Sequence, residues 1–260
     1  MKLISLNTWG GSVYEPLIDF IKQQSATTDI FCLQEVFSAL PGAPTASSGA
    51  RMFLFEELST LLTHYRGFFE IRRHGVDFSG VIDAPVNHGL AVFVKKNLDV
   101  LNYNSRVIVE FDPSYAEEVE GHFKVQILAL GQQDKIFSIM NFHGIALPGD
   151  KRDSPQRLLQ SEQLVKVWQS LATPAKILCG DFNLNPDTKS IGILDKVSHN
   201  LIKEFNIQNT RNQISWDKYP GSKQHFADYT FVSNAVKVKS FEVPYNEVSD
   251  HLPMVLQFEI

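Results

Sequence analysis

The chain has 260 residues, 43% of them hydrophobic, and a formal net charge of −5. That is ample material for a large core, and the acidic balance excludes a generic basic nucleic-acid binder. No stretch approaches the roughly 20 consecutive apolar residues of a membrane span, and the two cysteines, Cys32 and Cys179, read as buried reduced thiols within apolar runs.

The first apolar run, 2–7, starts at the N-terminus and reads as a strand. It leaves no room for a signal peptide, so the expected location is cytoplasmic. A helix is expected over about 15–25, with Leu17, Ile18 and Ile21 on its apolar side, followed by a strand over 29–35. Ser38 to Gly49 is loop-rich and reads as a surface connection rather than a mobile flap. Leu54, Leu58, Leu61 and Tyr65 fall at i, i+4, i+7 and i+11, the spacing of one helical face. Strand patterns then recur at 67–73, 89–95, 106–111, 122–130 and 135–142, with Gly131-Gln-Gln-Asp134 as a hairpin turn between the last two. Ser154-Pro155 reads as an N-cap and first helical position, opening a helix with Leu164, Trp168 and Leu171 on one stripe. Further strands are expected at 176–181, 226–233, 236–243 and 253–259. Many strands with few helices suggest two sheets packed face to face with helices outside. Trp168 reads as core. Trp216 fits half-buried packing at least as well as stacking on a substrate.

Several strand ends carry polar residues. The run Lys176-Ile-Leu-Cys-Gly-Asp181-Phe-Asn183 sets a carboxylate and a carboxamide two apart, which on an extended backbone point the same way. Asn7 ends the first strand, Glu35 the second, and His143 ends Phe137-Ser-Ile-Met-Asn-Phe-His. Asp228 lies in His-Phe-Ala-Asp-Tyr-Thr-Phe, and Ser249-Asp250-His251-Leu-Pro253 lies near the C-terminus. Taken singly, Glu35 reads as a turn former, His143 as a structural histidine and Asp250 as a cap ahead of Pro253. Coincidence would have to explain all of them in order.

The ordered set Asn7, Leu33-Gln-Glu35, Asn141-Phe-His143, Gly180-Asp-Phe-Asn183, Asp228-Tyr229 and Ser249-Asp-His-Leu-Pro253 resembles the endonuclease/exonuclease/phosphatase superfamily. The resemblance spans nearly the whole chain. It implies one domain over 1–260 with a four-layer α/β/β/α sandwich of the deoxyribonuclease I type: two packed mixed β-sheets flanked by helices, with the site at one end of the sheets. It implies Mg²⁺ or Mn²⁺ bound by Glu35, supported by Asn7 and Asp250, and hard carboxylate oxygens suit those ions. By the same resemblance Asp181 orients and deprotonates water, and Asn183 holds that water or the phosphate. His251 binds the phosphoryl oxygen, with Asp228 fixing its tautomer and raising its pKa, while His143 contacts the phosphate or assists the leaving group.

Two positions depart from the pattern. Trp9 stands where abasic-site endonucleases and tyrosyl-DNA phosphodiesterases carry an aspartate, which favours a single metal. The usual Asn-x-His-Leu reads Asn-Phe-His-Gly144. The basic residues Arg51, Arg72-Arg73, Lys95-Lys96, Lys151-Arg152, Arg157, Arg211 and Lys223 are scattered. Arg157 is expected to support the site through a salt bridge, and the segment from His143 to Ser154 to overhang it. The expectation is a monomeric, metal-dependent phosphodiesterase of nuclease type acting on a phosphate ester, with nucleic acid as a possible partner. The alternative is a phosphomonoesterase or lipid-headgroup phosphodiesterase acting on a small phosphorylated molecule. A catalytically dead binding module would have lost a core residue, and Glu35, Asp181, Asn183, Asp228 and His251 are all present.

Overall fold

The computed structural model describes residues 1–110, 122–218, 220–221 and 223–260. In chain order its strands are β1 (Lys2–Asn7), β2 (Ile30–Ala39), β3 (Ala46–Ser47), β4 (Ala50–Arg51), β5 (Tyr65–His74), β6 (Val76–Asp77), β7 (Gly80–Val81), β8 (Val86–Lys95), β9 (Asp99–Glu110), β10 (His122–Gln132), β11 (Lys135–His143), β12 (Ala175–Asp181), β13 (His199–Asn200), β14 (Asp228–Val232), β15 (Lys237–Glu242) and β16 (Met254–Glu259). The α-helices are α1 (Tyr14–Ser25), α2 (Leu54–Leu61), α3 (Pro155–Ser170), α4 (Lys189–Asp195), α5 (Leu201–Glu204) and α6 (Gln213–Lys218).

Two six-stranded mixed sheets form the body, ordered β15-β16-β1-β2-β8-β5 and β13-β14-β12-β11-β10-β9. Each contains one parallel pair, β1 with β2 and β11 with β12. Side-chain alternation sets the layers. In β1, Ile4 and Leu6 pack outward with α1 and α2, through Leu17, Ile21, Leu54 and Leu58. Leu3 points inward with Cys32 and Val92 to meet Ile127 and Ile139 of the other sheet. Trp168 of α3 and Leu194 of α4 join the packing around that second sheet. The result is the expected four-layer sandwich. Among the described residues no helix is long and apolar enough to cross a membrane.

Several expectations shift. The helix at 54 ends at Leu61, and Tyr65 opens β5 instead. Tyr65 stays buried, because its hydroxyl donates to Ser25 O (2.8 Å) and Thr28 O (2.5 Å) and ties the strand to the end of α1. A third of the supposed loop at 38–49 is ordered by pairing. Ser38 and Ala39 extend β2, and β3 pairs with β4. Asp77 then accepts from Ser47 (2.5 Å) and Ser48 (2.8 Å), anchoring that hairpin to the one formed by β6 and β7. The 106–111 run belongs to a longer strand, β9, and position 111 lies outside the described residues. The turn at 131–134 holds, with Gln132 opposite Lys135. Both cysteines are free and buried, and Trp216 is half-buried with its indole N–H donated to Gln224 O at 2.8 Å.

Candidate active site

Strand register carries the polar residues to one end of the sandwich. The parallel pair β11/β12 sets His143 beside Asp181, and the antiparallel pair β12/β14 sets Asp181 opposite Asp228. On the other sheet Asn7 pairs with Gln34. Between Leu33 and Val36 of β2, two residues face the single Leu90 of β8, a bulge whose second residue, Glu35, has φ 53. A bulge re-aims a side chain out of strict alternation, and here it turns Glu35 toward the gap between the sheets. Gly180, at φ 137, allows β12 to pass β11 closely, since a Cβ there would sit 1.9 Å from Phe142 O.

Asp181 Oδ2 lies at the centre. It accepts from Asn7 Nδ2 at 3.0 Å, with His251 Nε2 at 3.6 Å and His143 Nε2 at 3.7 Å. His143 Nε2 also lies 3.6 Å from Glu35 Oε1. Asp228 holds His251 Nδ1 at 2.8 Å, and Asp250 lies 3.8 Å from its Nε2. Glu35, Asp181, Asn183, Asp250 and His251 line a cavity of about 870 Å³, and Asn7, His143 and Asp228 stand in contact behind them. Asn183 does not reach the cavity along an extended strand. Its φ is 54, and its N–H donates to Asp181 Oδ1 at 2.8 Å, so the chain turns sharply after the acid.

Two cations that the sequence left among scattered basic residues complete the site. Arg211 Nη2 donates to Asp250 Oδ2 at 3.1 Å, and its Nη1 donates to His251 Nε2. An isolated backbone bridge across 40 residues links Arg211 to His251, and no local pattern reveals it. Lys151 Nζ donates to Asn183 Oδ1. The expected overhang of the segment after His143 does bring this lysine in. Arg157 forms a salt bridge, as expected, but within the overhanging loop. Its ion pair with Asp150 (3.3 Å) is one contact among several, the others being backbone carbonyls of the overhanging loop.

Burial dominates the electrostatics. It pushes Glu35 upward, with Asp250 and Asp181 adding to the shift and Asn7 and His251 opposing it. It raises Asp181 too, with Asp228 adding and His251, Lys151 and Arg211 opposing, and lifts Asp228 to about 8. Burial would also raise Asp250, but His251, Arg211 and Lys218 together hold it below the ordinary carboxylate value. His143 is driven well below the usual imidazole range by burial and then by Arg72 and His88. His251 falls to about 4, through burial and then Arg211. That reverses the expected effect of Asp228. A guanidinium has no acceptor, so His251 Nε2 must accept from Arg211 and Nδ1 must carry the hydrogen given to Asp228. Burial and Arg211 outweigh the upward pull of Asp250, Asp181 and Glu35.

Among the described residues two triplets place metal-ligating atoms within 4.8 Å of one another: Glu35–His143–Asp181 and Asp181–Asp228–His251. Asp250 belongs to neither and is engaged by Arg211. Asn7 turns its carbonyl oxygen to the Trp9 N–H at 3.0 Å.

Two mixed sheets with carboxylates and histidines gathered at one end define a class of α/β sandwich phosphoesterases. The sequence profile of the Endonuclease/Exonuclease/phosphatase family matches residues 4–251, and the chain belongs to that family, whose members are hydrolases acting on phosphate esters. A search of curated proteins finds no match. Among solved structures, an endonuclease/exonuclease/phosphatase from Bacteroides vulgatus is similar with a TM-score of 0.72 at 18% identity, covering 100% of this chain and 98% of that one. The catalytic domain of human nocturnin with a bound sulfate gives 0.68 at 19% identity, covering 100% and 93%. A mannosyl-6-phosphatase of Bacteroides thetaiotaomicron gives 0.65 at 17%, covering 100% of both. At these identities the likeness is one of fold.

Proposed function

We propose that this protein hydrolyses a phosphate ester with the help of a divalent cation, Asp181 receiving the proton of the attacking water. The observation that carries this reading is the position of Asp181 Oδ2, buried and within 3.7 Å of Asn7, His143 and His251 side-chain nitrogens. Desolvation makes its carboxylate a stronger base than a solvated one, as a general base requires. An anionic phosphoryl oxygen arriving between Arg211 and His251 takes the Arg211 hydrogen that Nε2 now accepts. The same negative charge raises the imidazole's affinity for a proton, and Asp228 holds the ring while charge grows.

The residues fit a divalent ion. Glu35 is aimed inward by its bulge, and it, Asp181 and Asp250 are neighbouring carboxylates whose repulsion a cation would relieve. Glu35 would be the principal holder, with Asp250 and Asn7 supporting it. The ion, Mg²⁺ or Mn²⁺ by the hardness of the donors, supplies Lewis acidity and charge neutralisation at a phosphoryl oxygen.

For the substrate, the walls of the cavity favour a compact phosphorylated molecule over the nuclease-type reading. Trp9, Phe78 and Leu147 line it on flanking segments. Lys218, 4.0 Å from the centre of the Trp9 ring, and Gln224, donating to Gly149 O, join opposite segments of the lining. A duplex needs an open groove. The test is a hydrolysis screen with Mg²⁺ and Mn²⁺ over DNA, RNA, nucleotides, sugar phosphates, inositol phosphates and sphingomyelin. Preference for the nucleic acids would overturn the substrate class, and wild-type turnover by both Asp181→Asn and His251→Ala would overturn the mechanism.

A further inference from the structure

Lys151 is only 8% exposed, lines the cavity and makes no ion pair among the described residues. Its ammonium group donates to the carboxamide oxygen of Asn183. An unpaired buried ammonium is costly, and this one is held in place by deliberate construction. Its backbone is left-handed at φ 58, a conformation that lysine adopts under strain. Its carbonyl accepts from Asn185 N at 2.9 Å.

The loop that carries it is folded around Arg157, whose side chain is fully buried. That guanidinium donates to four carbonyls of the loop: Ile145 (3.3 Å), Ala146 (3.1 Å), Pro148 (2.6 Å) and Arg152 (2.7 Å). A planar fork of five N–H donors thus shapes one short segment from within. The outcome is a single cation delivered to the turn after Asp181. It comes from the Asn183 side, whereas His251 and Arg211 approach from the Asp181 and Asp250 side.

We propose that Lys151 binds the substrate phosphate and makes the site selective for a terminal phosphate, a phosphomonoester, over a phosphodiester. The proposal rests on the reading of Asp181 and His251 as the hydrolytic centre. A terminal phosphate carries about −1.5 to −2 charge near neutrality and three unesterified oxygens. The Arg211–His251 pair takes one, the cation side of the pocket another, and Lys151 the third. In a diester the third position is an ester oxygen, uncharged and bearing a carbon substituent that would be driven against the ammonium. In the reaction, water adds to phosphorus as the bond to the alcohol oxygen breaks. One water proton leaves through Asp181, the alcohol oxygen takes a proton from solvent, and the products are alcohol and inorganic phosphate.

The test compares wild type, Lys151→Met and Lys151→Arg on p-nitrophenyl phosphate and bis-p-nitrophenyl phosphate with Mn²⁺, and measures binding of inorganic phosphate by calorimetry. The wild type should prefer the monoester. Lys151→Met should lower monoester kcat/KM and phosphate affinity by about 10- to 100-fold, the worth of a hydrogen bond to a charged group, with a much smaller loss on the diester. Lys151→Arg should recover part of the monoester rate, which separates lost charge from lost folding. Diester preference in the wild type, equal losses on both substrates, or unchanged phosphate binding in Lys151→Met would each overturn the proposal. If Asp181→Asn stays fully active, the hydrolytic reading fails instead, and phosphate binding still decides the role of Lys151.

Discussion

Two buried polar layers lie between the sheets, one beneath the other, and they are built on opposite principles. In the lower layer Gln34 Nε2 donates to Asn141 Oδ1 at 2.7 Å, Asn141 Nδ2 donates to Gln126 Oε1 at 3.2 Å and Leu33 O at 3.1 Å, and Gln126 Nε2 donates to Phe68 O at 2.9 Å. Of those amide groups only Gln34 Oε1 lacks a partner among the described residues. These neutral amides tie one sheet to the other. The upper layer crowds Glu35, Asp181, Asp228 and Asp250 around two imidazoles, with burial raising the first three. His143 Nδ1 has no partner among the described residues. Neutral and well matched, the lower layer holds the fold. Charged and incompletely matched, the upper one keeps electrostatic tension that an ion and an anionic substrate would relieve.

The sharpest way to break this contrast is Asp181→Asn. Phosphoester hydrolysis should fall by about 10²- to 10⁴-fold, the usual worth of a positioned general base. The urea midpoint should hold or rise, because one buried charge is gone. A mutant that loses stability along with activity would mean the upper layer is structural after all. Gly180→Ala tests the strand that runs from one layer to the other. Its Cβ would meet Phe142 O at 1.9 Å, so a loss of about 4 kcal/mol or more is expected in equilibrium unfolding. Asn141→Ala should do the reverse of Asp181→Asn. Stripping partners from Gln34 and Gln126 should lower stability by about 2 kcal/mol, with turnover per folded molecule little changed.

The smallest effect concerns pH. Glu35 and Asp181 have folded-state pKa values raised above their unfolded ones, so they bind more protons folded than unfolded. Their contribution is present in full below the ordinary carboxylate range, near about 4, and is lost as pH rises through the raised values. With a chelator present, the melting temperature should therefore drop across that window more steeply in the wild type than in Asp181→Asn. Mn²⁺ should restore it by binding the folded state. A wild-type slope no steeper than that of Asp181→Asn would show that these acids are not under mutual strain.

Much of this was legible along the chain because it is local. Apolar alternation marked the long strands, and Ser154-Pro155 marked the start of α3, where the serine hydroxyl accepts from Arg157 N at 3.2 Å. What escaped depended on pairing at a distance. Tyr65 satisfies a helical spacing yet sits in a strand, since its hydroxyl finds carbonyls at the end of α1. The β3/β4 hairpin looked like loop because its order comes from Asp77, some 30 residues away. Arg211 carried no local signal, since its bridge to His251 and its ion pair with Asp250 join residues about 40 positions apart.

By itself the sequence marked Asn7, His143, Asp181 and Asp228 at strand ends, whereas Glu35 sits in a bulge inside β2 and His251 outside the named strands. Strand period and turn chemistry are properties of neighbouring residues, so they can be read from neighbours. The tertiary structure alone decided how those groups are charged, that His251 is held down rather than up, and that Lys151 and Arg211 share the cavity. Desolvation and Coulomb interaction depend on separation in space, and across two packed sheets that separation bears no relation to distance along the chain.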